Sequence, residues 1–187
     1  MNWQEPGFHP YPHQTEAVTP EGNGSIDVSP GNYRVLVREV LPSADLYIKE
    51  ATLNGVDVLN GSCRTTGPVN GALKVVFSNR GGRIEGTLVD AQLEPLPGRE
   101  VVLIPDWSRH RDELFKDVET DQNGRFQFTG ITPGGYRLFA WEALEPHSYF
   151  DPEVLARYEH RGTPVRVRES SSESVRLEII PAALSQV

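Results

Sequence analysis

The stretch that decides the fold is TDQNGRFQFTGITPGGYRLFAW, residues 120–141. It contains two turn signals, Asn123-Gly124 and Pro133-Gly134, and apolar residues alternate with polar ones after each of them. Asn-Gly favours the tight turn of a β-hairpin, and alternation with a period of two is typical of a strand with one buried face. The pattern predicts two short strands whose inward-facing residues are Phe126, Phe128, Tyr136, Leu138 and Ala140.

Similar segments lie on both sides of this stretch. Upstream, residues 83–90 alternate in the same way, and Val101 begins a short apolar run that Pro105 ends. The remaining predicted strands cover residues 114–120, 164–168 and 175–180. Seven short strands in about 100 residues are the density of a Greek-key β-sandwich of the immunoglobulin-like kind. The sequence therefore predicts an all-β fold.

One segment, residues 151–162, breaks the strand pattern. It carries the usual start and end signals of a helix: Asp151 as the N-cap, Pro152 at the first helical position and Gly162 at the end. Leu155 and Tyr158 are three residues apart and therefore share a face of that helix. We expect a short crossover helix near residues 152–160 that lies on the sandwich.

The first part of the chain repeats the second. Residues 29–35, SPGNYRV, match residues 132–138, TPGGYRL, and residues 71–77 match the final strand at the same spacing of 103 residues. Where the second copy has its helix, the first has a predicted hairpin around Asn54-Gly55. The repeat predicts two tandem sandwich modules, residues 1–81 and residues 82–187.

The first module is predicted to be incomplete. The counterparts of its two opening strands, by comparison with residues 83–90 and 100–105, would fall before residue 1 or at its edge. A sandwich without them leaves apolar faces and open strand edges in solvent. We favour a truncated reading frame as the explanation. Two alternatives stay open, namely cover by Trp3, Phe8 and Tyr11, or self-association with a second chain.

Composition excludes several classes of protein. The 187 residues carry a formal charge of -8, so a nucleic-acid backbone, which requires clustered Lys and Arg, is not expected as a partner. No run approaches the roughly 18 apolar residues that a membrane-spanning helix needs, and membrane insertion is not expected. A single cysteine, Cys63, excludes an internal disulfide and any metal site built from several cysteines.

Four segments of the second copy carry a resemblance to a known family: residues 82–90 (GRIEGTLVD), 95–98 (PLPG), 101–103 (VVL) and 120–136. Together they resemble the carboxypeptidase regulatory-like domain, which has a transthyretin-like (prealbumin-like) sandwich. The helix segment is similar to that of tandem copies in large bacterial surface or secreted proteins. The resemblance implies an extracellular, periplasmic or cell-envelope location and a non-catalytic accessory role. Its motif residues are turn and core positions, so the motif itself carries no reaction chemistry.

Patterns that would indicate an enzyme are absent from the sequence. Intradiol dioxygenases share the Thr-Asp-x-x-Gly turn, but their iron ligands follow in an Arg-Pro-x-His-x-His pattern, where this chain reads RLFAWE at residues 137–142. His147 and His160 do not replace that pair, so an iron enzyme stays a remote alternative, and neither a metal nor a cofactor is expected. One strand face carries several oxygen ligands: Asp117, Glu119, Asp121 and Asn123. A calcium site is one interpretation of this face, and an ordinary solvated strand face is the favoured one.

The candidate binding surface is aromatic. Phe139 and Trp141 are predicted on the outward face of their strand, and Trp107 and Tyr149 complete a set that could stack against sugar rings or a partner peptide. The alternative is that Leu155 and Tyr158 of the predicted helix cover this face. The sequence thus predicts a non-catalytic spacer and interaction module with a protein or glycan partner at the cell surface. A carbohydrate-binding module is the alternative function.

Overall fold

A computed structural model describes residues 19, 22–23, 30–33, 46–61, 63–66 and 71–182. The chain divides into two compact units. One contains Met1–Val35 and Ala51–Lys74, and the other contains Leu36–Glu50 and Val75–Val187. Strands are the main secondary structure, so the predicted all-β class is confirmed. None of the described helices has the length and apolar character that crossing a bilayer requires.

Short strands make up the described part of residues 1–81: β1 (Gly31–Tyr33), β2 (Tyr47–Leu53), β3 (Val56–Asp57), β4 (Cys63–Thr65) and β5 (Leu73–Ser78). β1 pairs with β4 in antiparallel fashion, and β2 lies between β3 and β5 in a second sheet. Asn54 and Gly55 both have a positive φ, 51° and 82°, as a tight hairpin turn of this type requires. The predicted hairpin is therefore confirmed.

Two parts of the sequence interpretation are not decided by these strands. The repeated segment 29–35 and the aromatic residues Trp3, Phe8 and Tyr11 bear on the repeat and on its opening strands. Of these residues the structure describes only 30–33. The division into tandem modules at residues 81 and 82 therefore stays a prediction.

The strands predicted in residues 82–182 are all present: β6 (Gly82–Val89), β7 (Glu100–Pro105), β8 (Lys116–Glu119), β9 (Arg125–Ile131), β10 (Gly134–Phe139), β11 (Thr163–Val167) and β12 (Ser172–Glu178). Two bounds need correction. The final strand, predicted over 175–180, covers Ser172–Glu178. The strand predicted over 114–120 begins only at Lys116, because Asp112–Leu114 form a 3-10 turn that buries Leu114.

These seven strands form two sheets. One has the order β11-β10-β7-β8, and the other has the order β12-β6-β9 with β12 parallel to β6. Between them lies an inner core of residues that are at most 4% exposed, including Ile84, Leu88, Phe126, Phe128, Tyr136, Leu138, Ala140 and Leu177. The alternation in the sequence therefore predicted the inner face of β6, β9 and β10 correctly.

The segment between β10 and β11 folds back over the outer face of the four-stranded sheet. Ser148–Phe150 form a 3-10 turn, the helix α1 covers Pro152–Tyr158, and Glu159–Arg161 form a second 3-10 turn. The Asp151 carboxylate accepts a hydrogen bond from the Glu153 N–H at 2.8 Å, which confirms Asp151 as the N-cap. The predicted crossover helix is thus present.

Candidate functional site

The outward face of β10 is covered by α1. Leu155 and Tyr158 of the helix pack against Phe139 in a second core, which also contains Tyr149. Of the two arrangements that the sequence left open, the structure has the covered one. Phe139 is fully buried and Tyr149 is 3% exposed. The expectation of an open platform that presents both rings to a ligand is therefore corrected, because burying these rings stabilises the fold by about 1.5–3 kcal/mol each.

Trp141 is the centre of an aromatic stack and is only half-buried. Its ring lies parallel to the rings of Phe139 and Tyr149, with centroids 5.1 and 6.1 Å away, and Tyr158 meets it edge-on at 5.8 Å. The indole Nε1 is buried and has no hydrogen-bond partner. The stack fixes the orientation of the indole and leaves part of the Trp141 side chain open to solvent.

Trp107 lies in the loop after β7, and the described ring contacts do not join it to this stack. Its indole packs directly over Gly134, where a Cβ would overlap the Nε1 atom. The Arg111 guanidinium lies 5.8 Å from the ring centroid, within cation–π range. Trp107 therefore closes the loop against the turn before β10, and its predicted part in a binding surface stays a prediction.

A shallow groove of about 200 Å³ lies beside the aromatic stack. Its walls include Trp141 and Tyr149, with Leu144 between them in sequence, and four charged side chains stand along it: Arg99, Glu100, Glu142 and Glu145. All four charged residues are exposed. We name this feature, defined by these seven residues, the Trp141 groove. It brings together two of the four predicted site residues, Trp141 and Tyr149.

The electrostatic environment of the Trp141 groove is negative. Burial, together with the negative charges of Asp117 and Glu100, raises the pKa of the Tyr149 hydroxyl to about 12. Glu142 has a structural role as well, because its carboxylate accepts a hydrogen bond from the Ala182 N–H at 2.9 Å. The sequence did not predict Glu100 and Arg99 as neighbours of Trp141. They lie about 40 residues before it in the chain, and no local sequence pattern indicates that the fold brings them together.

Ion pairs hold the end of α1 in place. Arg109 donates two hydrogen bonds to the Glu159 carboxylate, at 2.7 and 3.1 Å. Arg137 on β10 lies 3.3 Å from the same carboxylate and 3.1 Å from that of Asp106. The segment that carries Trp141, Tyr149 and α1 is therefore anchored both by its aromatic core and by charge.

No metal centre is formed by the described residues, since no three His, Cys, Asp or Glu side chains among them converge. Asp121, one of the residues considered for calcium, accepts hydrogen bonds from the backbone N–H groups of Asn123 and Arg125, both at 2.8 Å. These bonds lower the pKa of the Asp121 carboxyl. Asp121 thus stabilises the turn between β8 and β9.

No protein-family model matches the sequence, and no curated protein matches it. Among solved structures, a proposed carbohydrate-binding protein from Pseudomonas aeruginosa aligns with 52% of this chain and 87% of its own, at 20% identity and a TM-score of 0.36. The minor pilin of Streptococcus agalactiae aligns with 63% of this chain and 56% of its own, at 15% identity and a TM-score of 0.36.

A catechol 1,2-dioxygenase from Acinetobacter aligns with 52% of this chain and 51% of its own, at 16% identity and a TM-score of 0.29. This chain therefore spans only a little more than half the length of the pilin and of the dioxygenase. At these TM-scores the likenesses carry no argument about activity or ligand.

Proposed function

We propose that this chain is a non-catalytic interaction module, in which a rigid β-sandwich holds a binding surface and separates neighbouring parts of an exported protein. The observation that carries the proposal is the preformed Trp141 groove. Its aromatic wall is fixed by the stack of Phe139, Trp141 and Tyr149, and the segment behind it is anchored through Glu159. A surface that is ordered in advance avoids the entropy cost of ordering on binding.

The resemblance to carboxypeptidase regulatory-like domains supports the same role. It adds the proposals of a tandem arrangement with residues 1–81 and 82–187 as modules, and of an extracellular, periplasmic or envelope location. Self-association through the first module belongs to this proposal too, since exposed strand edges can pair with those of a second chain.

The test is ligand binding to a combined glycan and peptide array, followed by fluorescence titration of each ligand found. We expect the ligand to change the emission of Trp141, so that Trp141→Phe abolishes the response. The matched control, Trp107→Phe, should keep it. The proposed surface would be contradicted if no ligand on the array bound, or if the change in emission were lost in Trp107→Phe and kept in Trp141→Phe. Consumption of catechol by the iron-loaded protein would contradict the non-catalytic role.

A carbohydrate-binding module is the second candidate. The observation in its favour is that the partly exposed Trp141 side chain lies beside carboxylates and a guanidinium, since sugars are bound by aromatic rings together with polar groups that pair with hydroxyls. The glycan arm of the array decides this point. If no glycan changes the tryptophan emission, carbohydrate binding is excluded while peptide binding is still tested.

A further inference from the structure

One residue that lines the Trp141 groove contacts an exposed aromatic side chain. Tyr149 lines the groove, and its ring centroid lies 4.8 Å from the ring centroid of Phe150. The ring centroid of Phe150 in turn lies 4.8 Å from that of Phe115 and 6.3 Å from that of His147. Although its neighbours are aromatic, Phe150 is 43% exposed. We name Phe115, His147 and Phe150 the Phe150 cluster; Tyr149 connects it to the groove.

Backbone geometry at this cluster is unusual. His147 has a φ of 64°, a left-handed conformation that non-glycine residues seldom adopt. Ser148–Phe150 follow as a tight 3-10 turn, which places Tyr149 inside and leaves Phe150 outside. An exposed Phe held next to a groove is not needed to fill the core. Aromatic residues of this kind are enriched at protein interfaces.

The charges of the residues that line the Trp141 groove indicate the charge of its partner. The groove is lined by three glutamates, Glu100, Glu142 and Glu145, and by one arginine, Arg99. The charge of Asp117, like that of Glu100, raises the pKa of the Tyr149 hydroxyl. A cationic head group can lie between these carboxylates, with its aliphatic stem along the part of the Trp141 side chain that the aromatic stack leaves open to solvent. An anionic partner would be repelled.

We propose that the Trp141 groove and the Phe150 cluster together bind a basic peptide segment of another protein. A lysine or arginine side chain lies in the groove between the glutamates, and an adjacent apolar side chain packs on Phe150. A peptide fits these observations better than a sugar because a basic residue beside an apolar one matches both the negative groove and the exposed ring of Phe150. This inference rests on the proposed interaction role and names the class of partner for that same surface.

The experiment measures fluorescence anisotropy of a labelled peptide of alternating lysine and leucine against its alternating glutamate and leucine counterpart. We expect only the basic peptide to bind, with an affinity that falls as salt is added. The double variant Glu100→Gln with Glu145→Gln should weaken binding about tenfold, since each exposed ion pair contributes a few-fold to affinity. Phe150→Ser should weaken it as well.

The matched control is the double variant Glu94→Gln with Glu178→Gln, which removes the same charge at exposed positions outside the groove and should bind like the wild type. Unchanged urea midpoints for all variants establish that the fold is intact. Equal binding of the acidic peptide, or full affinity in the groove variant, would overturn the inference. So would a glycan that binds at Trp141 when no basic peptide does, although that result would leave the interaction role itself standing.

Discussion

At the scale of single residues, glycines mark the places where aromatic rings pack most closely against the backbone. Gly162 has an ordinary extended conformation, with a φ of -65°, so conformational freedom does not explain it. A Cβ at this position would overlap the ring of Phe139 and lie 3.0 Å from the Cβ of Arg137. Gly162 is therefore required by the lack of space between the 3-10 turn that follows α1 and the start of β11.

We predict that Gly162→Ala destabilises the protein by about 1–3 kcal/mol, because the added methyl group has to displace the buried Phe139 ring. Urea denaturation followed by tryptophan fluorescence measures the change. The matched control is Gly61→Ala, since a Cβ at Gly61 would meet nothing within 4 Å. If both variants have the same midpoint, the close packing of Gly162 on Phe139 has no energetic consequence.

At the scale of elements, the sequence predicted what depends on neighbours in the chain. Alternation located β6, β9 and β10, and capping residues located α1, because these signals act within a few residues. Leu114 illustrates the limit, since an apolar residue that continues an alternating pattern can equally be buried by a 3-10 turn. The Glu159 ion pairs were not predicted, because Arg109 and Arg137 are 50 and 22 residues away from it in sequence.

The Glu159 ion pairs predict a pH dependence. Hydrogen bonding to Arg109 lowers the pKa of the Glu159 carboxyl below its ordinary value. A lowered folded-state pKa stabilises the protein above the unfolded-state pKa, and this stabilisation is lost as the pH falls through the folded-state value. We therefore expect Glu159→Gln to lower the urea midpoint at neutral pH. The difference from the wild type should shrink towards zero well below pH ~4.3.

The matched control for this experiment is Glu178→Gln, which removes the same charge from an exposed position on β12. Its midpoint should follow that of the wild type at every pH. A difference between Glu159→Gln and the wild type that stays constant down to acidic pH would show that the side chain acts through packing and not through its charge.

At the scale of the whole molecule, residues 82–182 contain two cores on opposite faces of one sheet. The inner core follows from the alternation of Tyr136 and Leu138, and the outer one contains Phe139 and is closed by α1. The sequence left open whether the outer face was covered, because periodicity shows which residues share a face but not what packs on it. The Trp141 groove was not predictable for the same reason, since its walls come from segments about 40 residues apart.

The two cores predict that stability is distributed unevenly along the chain. β3 and β4 contain only two and three residues, and Val56 is 67% exposed, whereas β6, β9 and β10 enclose a buried core. In native-state hydrogen exchange at increasing denaturant, amides of β6, β9 and β10 should exchange together, through global opening of the sandwich. Amides of β3 and β4 should exchange faster, through local openings that denaturant hardly affects.

The variant Leu177→Ala tests this difference, because it removes a buried side chain from the core of residues 82–182. It should lower the free energy of exchange for the amides of β6, β9 and β10 by about 2–5 kcal/mol. The free energy of exchange for the amides of β3 and β4 should stay unchanged. Equal protection of both groups, or an equal response to Leu177→Ala, would mean that the whole chain unfolds as one cooperative structure.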